Sequence, residues 1–162
     1  MTDQGIPGSA EGFDVFAVDA DWPETRQVTG HGYDRASGDV HVYLWFGSPR
    51  FDPEVPHVTV LSASTGNAEA GEALERAFET FYHPDEELPA RLPVFEPVTV
   101  TTDGNPVAFE LWRSSGHPRW VARGRVEHTD VILSGAGVDP GELGLVRVTD
   151  LTSFSTPFAP FG

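Results

Sequence analysis

Residues 95–126 read FEPVTVTTDGNPVAFELWRSSGHPRWVARGRV, and their reading decides the fold class. Phe95 to Thr101 has strand composition, and Asp103-Gly104-Asn105-Pro106 is turn chemistry. Val107 to Arg113 forms a second strand, Ser114-Ser115-Gly116-His117-Pro118 a second turn and Arg119 to Val126 a third strand. Period two along that third strand sets Arg119, Arg123 and Arg125 on one face and Trp120, Ala122 and Val126 on the other. Turns this short join antiparallel neighbours. Downstream, Glu127 to Asp130 turns again into Val131-Ile132-Leu133-Ser134, and Asp139 caps a one-turn helix. Leu145 to Val148 is a last strand.

Upstream the same logic gives a hairpin. Gln27 to Asp34 and Val40 to Phe46 flank a five-residue turn, Arg35 to Asp39. Val40, Val42, Leu44 and Phe46 alternate with His41, Tyr43 and Trp45, so both faces of this strand carry bulk. Phe13 to Val18 and His57 to Ser62 are two further short strands. Between the strand clusters lies one amphipathic helix, about Asn67 to Tyr82. Asn67 suits its N-cap, and Glu69 and Glu72 suit the positive end of its dipole. Ala70, Ala73, Leu74, Ala77, Phe78 and Phe81 share one side, and His83-Pro84 stops the helix.

The expected fold is therefore α+β. About six to eight strands in antiparallel meanders and hairpins form one curved sheet or two packed sheets. The helix covers one face, with Leu74, Phe78 and Phe81 against Leu44, Val60, Phe109 and Leu111. Residues 1–12 read as a flexible N-terminal arm, 13–151 as a single domain and 152–162 as a tail containing Phe and Pro.

Composition bounds the chemistry. Among 162 residues there are 25 acidic and 10 basic ones, a formal charge of −15, and all ten basic residues are Arg. Such a charge repels nucleic acid and anionic lipid and suits solubility or a basic protein partner. No Cys means no thiol nucleophile, disulfide or Cys-ligated metal; no Lys means no Schiff base and no P-loop. No apolar run approaches the ~20 residues of a membrane helix, and Met1 to Gly12 lacks the pattern of a signal peptide. A cytoplasmic location is the expectation, with no membrane and no nucleic acid as partners.

The candidate chemical groups are few. His31, His41, His57, His83, His117 and His128 show no HxH or HExxH spacing, so no metal is expected, although His31 and His41 lie on the two arms of one hairpin. Glu127-His128-Thr129-Asp130 mixes ligand types but reads as a polar turn. There is no G-x-S-x-G elbow, and Ser115 and His117 sit in turn chemistry. Gly30-His31-Gly32 and Gly135-Ala136-Gly137 lack the helix of a dinucleotide site and read as bulge or loop glycines. No cofactor is expected, and no motif identifies a family.

Against the acidic background, Arg113, Arg119, Arg123 and Arg125 concentrate within 13 residues beside Glu110 and Trp112. The four arginines with Trp112 form a candidate site for an acidic ligand, phosphate or carboxylate; pairing with Glu110 and stacking on Trp112 is the competing use. Phe154, Phe158 and Phe161 in the tail either fold back on the sheet or dock into a partner or a second copy of the chain. The leading functional expectation is a non-catalytic binding or interaction module. The alternatives are a small hydrolase or isomerase using His with Asp or Glu, and a homo-oligomeric structural subunit assembled through the tail.

Overall fold

The computed structural model describes residues 14–18, 25–33, 40–47, 56–66, 68–79, 95–113 and 119–148. The expected arm at 1–12, the whole tail at 152–162 with Phe154, Phe158 and Phe161, and the end of the helix from 80 onward lie outside them. Among the described residues nine strands are formed: β1 (Val15–Val18), β2 (Thr25–Tyr33), β3 (Val40–Gly47), β4 (His57–Ser64), β5 (Glu96–Thr102), β6 (Asn105–Arg113), β7 (Arg119–Val126), β8 (Thr129–Ala136) and β9 (Gly144–Val148). Among the described residues one α-helix, α1 (Ala68–Glu79), lies between β4 and β5. The strand count is one more than the expected six to eight.

All nine strands form a single sheet in the order β1-β9-β5-β6-β7-β8-β4-β3-β2. Two antiparallel meanders, β2–β4 and β5–β8, are zipped together by β4 and β8, which pair antiparallel from His57↔Ala136 to Ser64↔Thr129. Among the described strands only β5 and β9 pair in parallel, over two residues. The tight turns follow their residues. Asp103 and Gly104 both have positive φ (51° and 80°), the signature of a two-residue hairpin turn whose twist matches its strands. Asp139 accepts a hydrogen bond from the Gly141 amide at 2.9 Å and caps the short helix Pro140–Glu142.

The sheet rolls up. Strand β1, at one edge, lies against β4 from the far half of the sheet. Its Phe16 amide donates to Ser62 Oγ at 3.0 Å, and the Asp14 amide just before it donates to Thr129 Oγ1 at 2.9 Å. Ser62 and Thr129 are themselves fully buried, so each hydroxyl satisfies a backbone donor that water cannot reach. Inside the roll is one dry core, with Phe16, Leu44, Phe46, Val60, Phe109, Leu111, Leu133 and Leu145 among its members.

A second, smaller core lies on the outside. Here α1 sets Ala70, Ala73 and Leu74 on Leu61, Ala63, Trp112, Val121 and Ile132. This corrects the expected partners of the helix. Leu74 is buried, but Leu44, Val60, Phe109 and Leu111 belong to the interior of the roll on the opposite side of the sheet. A rolled sheet covers its own concave face, so the helix is left to the convex one. The small residues Ala70 and Ala73 let it approach closely. The Phe78 side chain and Phe81 lie outside the described residues.

A candidate binding cleft on the outer face

The pairing register writes the outer face as rows running across the strands. One row is Trp45–Thr59–Ser134–Val121–Trp112. Beside it on one side run His57–Ala136–Arg119, and on the other Tyr43–Leu61–Ile132–Arg123–Glu110. Helix α1 covers only part of these rows. Between the helix and the sheet it leaves a cleft of about 400 Å³, lined by His57, Thr59, Leu61, Arg119, Ile132 and Ser134 from the sheet and by Ala73, Arg76 and Ala77 from the helix. That volume lies at the small end of small-molecule sites.

Each wall has a local cause. His57 stacks on Trp45, with ring centroids 4.8 Å apart and 15° between planes. The neighbouring Gly47 leaves the room for this: a Cβ there would come within 2.8 Å of His57 Cβ and 3.1 Å of the Trp45 ring. At the end of the cleft, a Cβ on Gly135 would lie 2.6 Å from the His57 carbonyl oxygen and 2.9 Å from the Trp120 ring. Gly135 is thus a strand glycine demanded by close packing, and Gly137 takes a loop conformation at φ 73°. Gly30 sits beside a bulge in β2.

The helix is held over the sheet by a polar triangle at the cleft rim. The Tyr43 hydroxyl donates to Glu69 Oε1, while Arg76 Nη2 donates both to the Tyr43 oxygen at 2.5 Å and to Glu69 Oε1 at 2.8 Å. Burial raises the Tyr43 pKa far above its usual range, and the hydrogen bond to the Glu69 carboxylate adds to this. Burial opposes ionisation of Glu69 too, but the hydrogen bonds from Tyr43 and Arg76 outweigh it and hold the carboxyl below its ordinary pKa. Arg76 is correspondingly held more firmly in its charged form, chiefly by Glu69.

The arginine cluster divides. Arg123 pairs with Glu110 and lies over the Trp112 ring, 5.4 Å from its centroid. Arg125 pairs with Asp130 at 2.8 Å and Arg113 with Glu96 at 2.7 Å. Trp112 is buried, with Phe95 5.7 Å away, centroid to centroid. Arg119 alone of the four lines the cleft. Among the histidines, His31 pairs with Val42 and His41 with Gly32, so the two are not opposite one another. His128 lies in the β7–β8 turn, and His83 and His117 fall outside the described residues. The reading of 127–130 as a turn needs correction: only Glu127 and His128 form it, and Thr129 and Asp130 open β8. Among the described residues no three His, Asp or Glu side chains gather as a metal site requires. No described helix is long and apolar enough to cross a membrane.

Sequence reasoning missed the cleft itself. Period two places His57, Thr59 and Leu61 on one face of β4, but nothing local says that β4 pairs with β8, some 70 residues on. No protein-family model, curated protein or solved structure matches this chain.

Proposed function

We propose that the chain is a non-catalytic binding module whose outer-face cleft takes a small, largely apolar molecule. The observation that carries the reading is the cleft between α1 and the sheet. Its floor combines apolar Leu61 and Ile132 with the hydroxyls of Thr59 and Ser134, the mixture that fixes small ligands in orientation. The His-based hydrolase or isomerase is less well supported, because among the described residues His57 lines the cleft and no carboxylate does. A basic protein partner draws its support from the net charge of −15 alone.

The neutral dye N-phenyl-1-naphthylamine tests the reading. Its fluorescence should rise saturably with the protein, and Ser134→Phe, which fills the cleft floor, should reduce the affinity at least about tenfold. A linear, unsaturable response, or the same affinity in Ser134→Phe, rejects it.

A further inference from the structure

We infer that the ligand is a neutral molecule with an apolar body and one carbonyl group, whose oxygen accepts hydrogen bonds from both Thr59 and Ser134; this rests on the cleft being a binding site at all. Thr59 and Ser134 stand directly opposite each other on β4 and β8, and both line the cleft floor. Both are half-buried, and neither hydroxyl has a hydrogen-bond partner among the described residues. Other hydroxyls of the same sheet are in use. Ser62 and Thr129 take the Phe16 and Asp14 amides, and Ser64 takes the Val40 amide at 3.0 Å. Side chains opposed in this way have Cβ atoms about 4.5–5.5 Å apart. Two hydroxyls at that spacing can rotate onto one oxygen placed about 2.8 Å from each, and a carbonyl oxygen has the two lone pairs to receive both.

The surroundings of the pair set the rest of the molecule. Within its own row it is flanked by buried Trp45 and Val121. The neighbouring row offers Leu61 and Ile132, and the helix adds Ala73 and Ala77 to the same cleft. A carbonyl seated on the two hydroxyls therefore carries its hydrocarbon body along Leu61 and Ile132. Charge argues for neutrality. Among the described residues the cleft has no Asp or Glu to hold a cation, which would meet Arg76 and Arg119 instead. Those two guanidinium groups are already engaged, Arg76 by Glu69 at 2.8 Å and Arg119 by a partner of its own. An anion would have to compete for them in the field of a chain at −15.

Displacement of N-phenyl-1-naphthylamine from the full-length protein tests this with four probes of one shape. They are 2-acetylnaphthalene, its alkene isostere 2-isopropenylnaphthalene, the anion 2-naphthoate and the cation of 2-(aminomethyl)naphthalene. The ketone should bind more tightly than either ion. The ratio of ketone to alkene affinity should fall at least about tenfold in Thr59→Val/Ser134→Ala, the loss of two neutral hydrogen bonds. Thr59→Ser keeps the hydroxyl and should keep the ratio. Binding of the alkene by the double variant reports an intact cleft. A ratio that the double variant leaves unchanged overturns the carbonyl seat and leaves the apolar cleft standing. Tighter binding of either ion than of the ketone overturns the neutral assignment. If the dye itself does not bind saturably, the cleft reading falls and this inference with it.

Discussion

The inner and outer faces of the rolled sheet solve the same problem in different ways. The inner face is sealed by the sheet itself, with Phe16, Leu44, Phe46, Phe109 and Leu133 meeting from strands distant in sequence. Of its buried polar side chains, Ser62 and Thr129 accept the amides of Phe16 and Asp14. The outer face is sealed by a twelve-residue helix that cannot cover all of it. What the helix covers is a small core; what it leaves is the cleft. The difference teaches that the proposed binding surface is an incompletely covered face, with the stability of the roll residing elsewhere.

The sharpest way to break that comparison is to empty each core in turn. Phe109→Ala should cost about 3–5 kcal/mol and lower the denaturation midpoint of the whole domain. Leu74→Ala should cost about 2–3 kcal/mol, and hydrogen exchange should speed up first in α1. If both variants lose the same protection over all nine strands, the two cores are one cooperative unit and the distinction is lost.

A smaller effect should appear at the rim. The folded-state pKa of Glu69 is depressed, so its contribution is fully present above the unfolded value of 4.5 and is lost as pH falls through the lower, folded value. Glu69→Gln should therefore be less stable than the wild type at pH 7, and the gap should shrink on acidification. Stability curves of the two proteins that run parallel from pH 7 to pH 3 would show that the triangle does not fasten the helix.

The smallest effect concerns the seam of the roll. Arg147 on β9 reaches Asp103 at 2.9 Å and Glu127 at 2.9 Å in two hairpin turns, and Asp14 before β1 at 3.6 Å. Asp103 and Glu127 both hold positive φ (51° and 56°), a conformation unfavourable for residues with a side chain, and both turn a carboxylate toward the same guanidinium. Arg147→Gln should cost about 1 kcal/mol or less because the site is partly exposed. The loss should be larger in low salt, where the three carboxylates repel one another most. A salt-independent loss would assign Arg147 a packing role over the Phe16 ring, 5.8 Å away.

Local patterns made most of the strands legible. The Asp103-Gly104 turn, the Asp139 cap and the alternation Val40–Phe46 each report a preference that a few residues express by themselves. The competing use of the arginine cluster was legible for the same reason, since Arg123 and Glu110 sit opposite each other on strands separated by only five residues in sequence. What was not legible depends on long-range closure. Tyr43, His57 and Ser134 come together only because β3, β4 and β8 are adjacent. The side chosen by α1 depends on which way the sheet curls, and alternating strands with bulk on both faces leave that open.

Strand β1 has a further consequence for the birth of the chain. Its hydrogen-bonded neighbour is β9, and Val15 pairs with Val148. At roughly 5–20 residues per second of synthesis, the apolar Val15–Val18 segment emerges well before its partner exists, and both meanders can be complete in the meantime. Closing so long a loop is costly in chain entropy. The β1–β9 seam can therefore form only after β9 has been made, by which time β4, whose Ser62 accepts the Phe16 amide, can already shelter the strand.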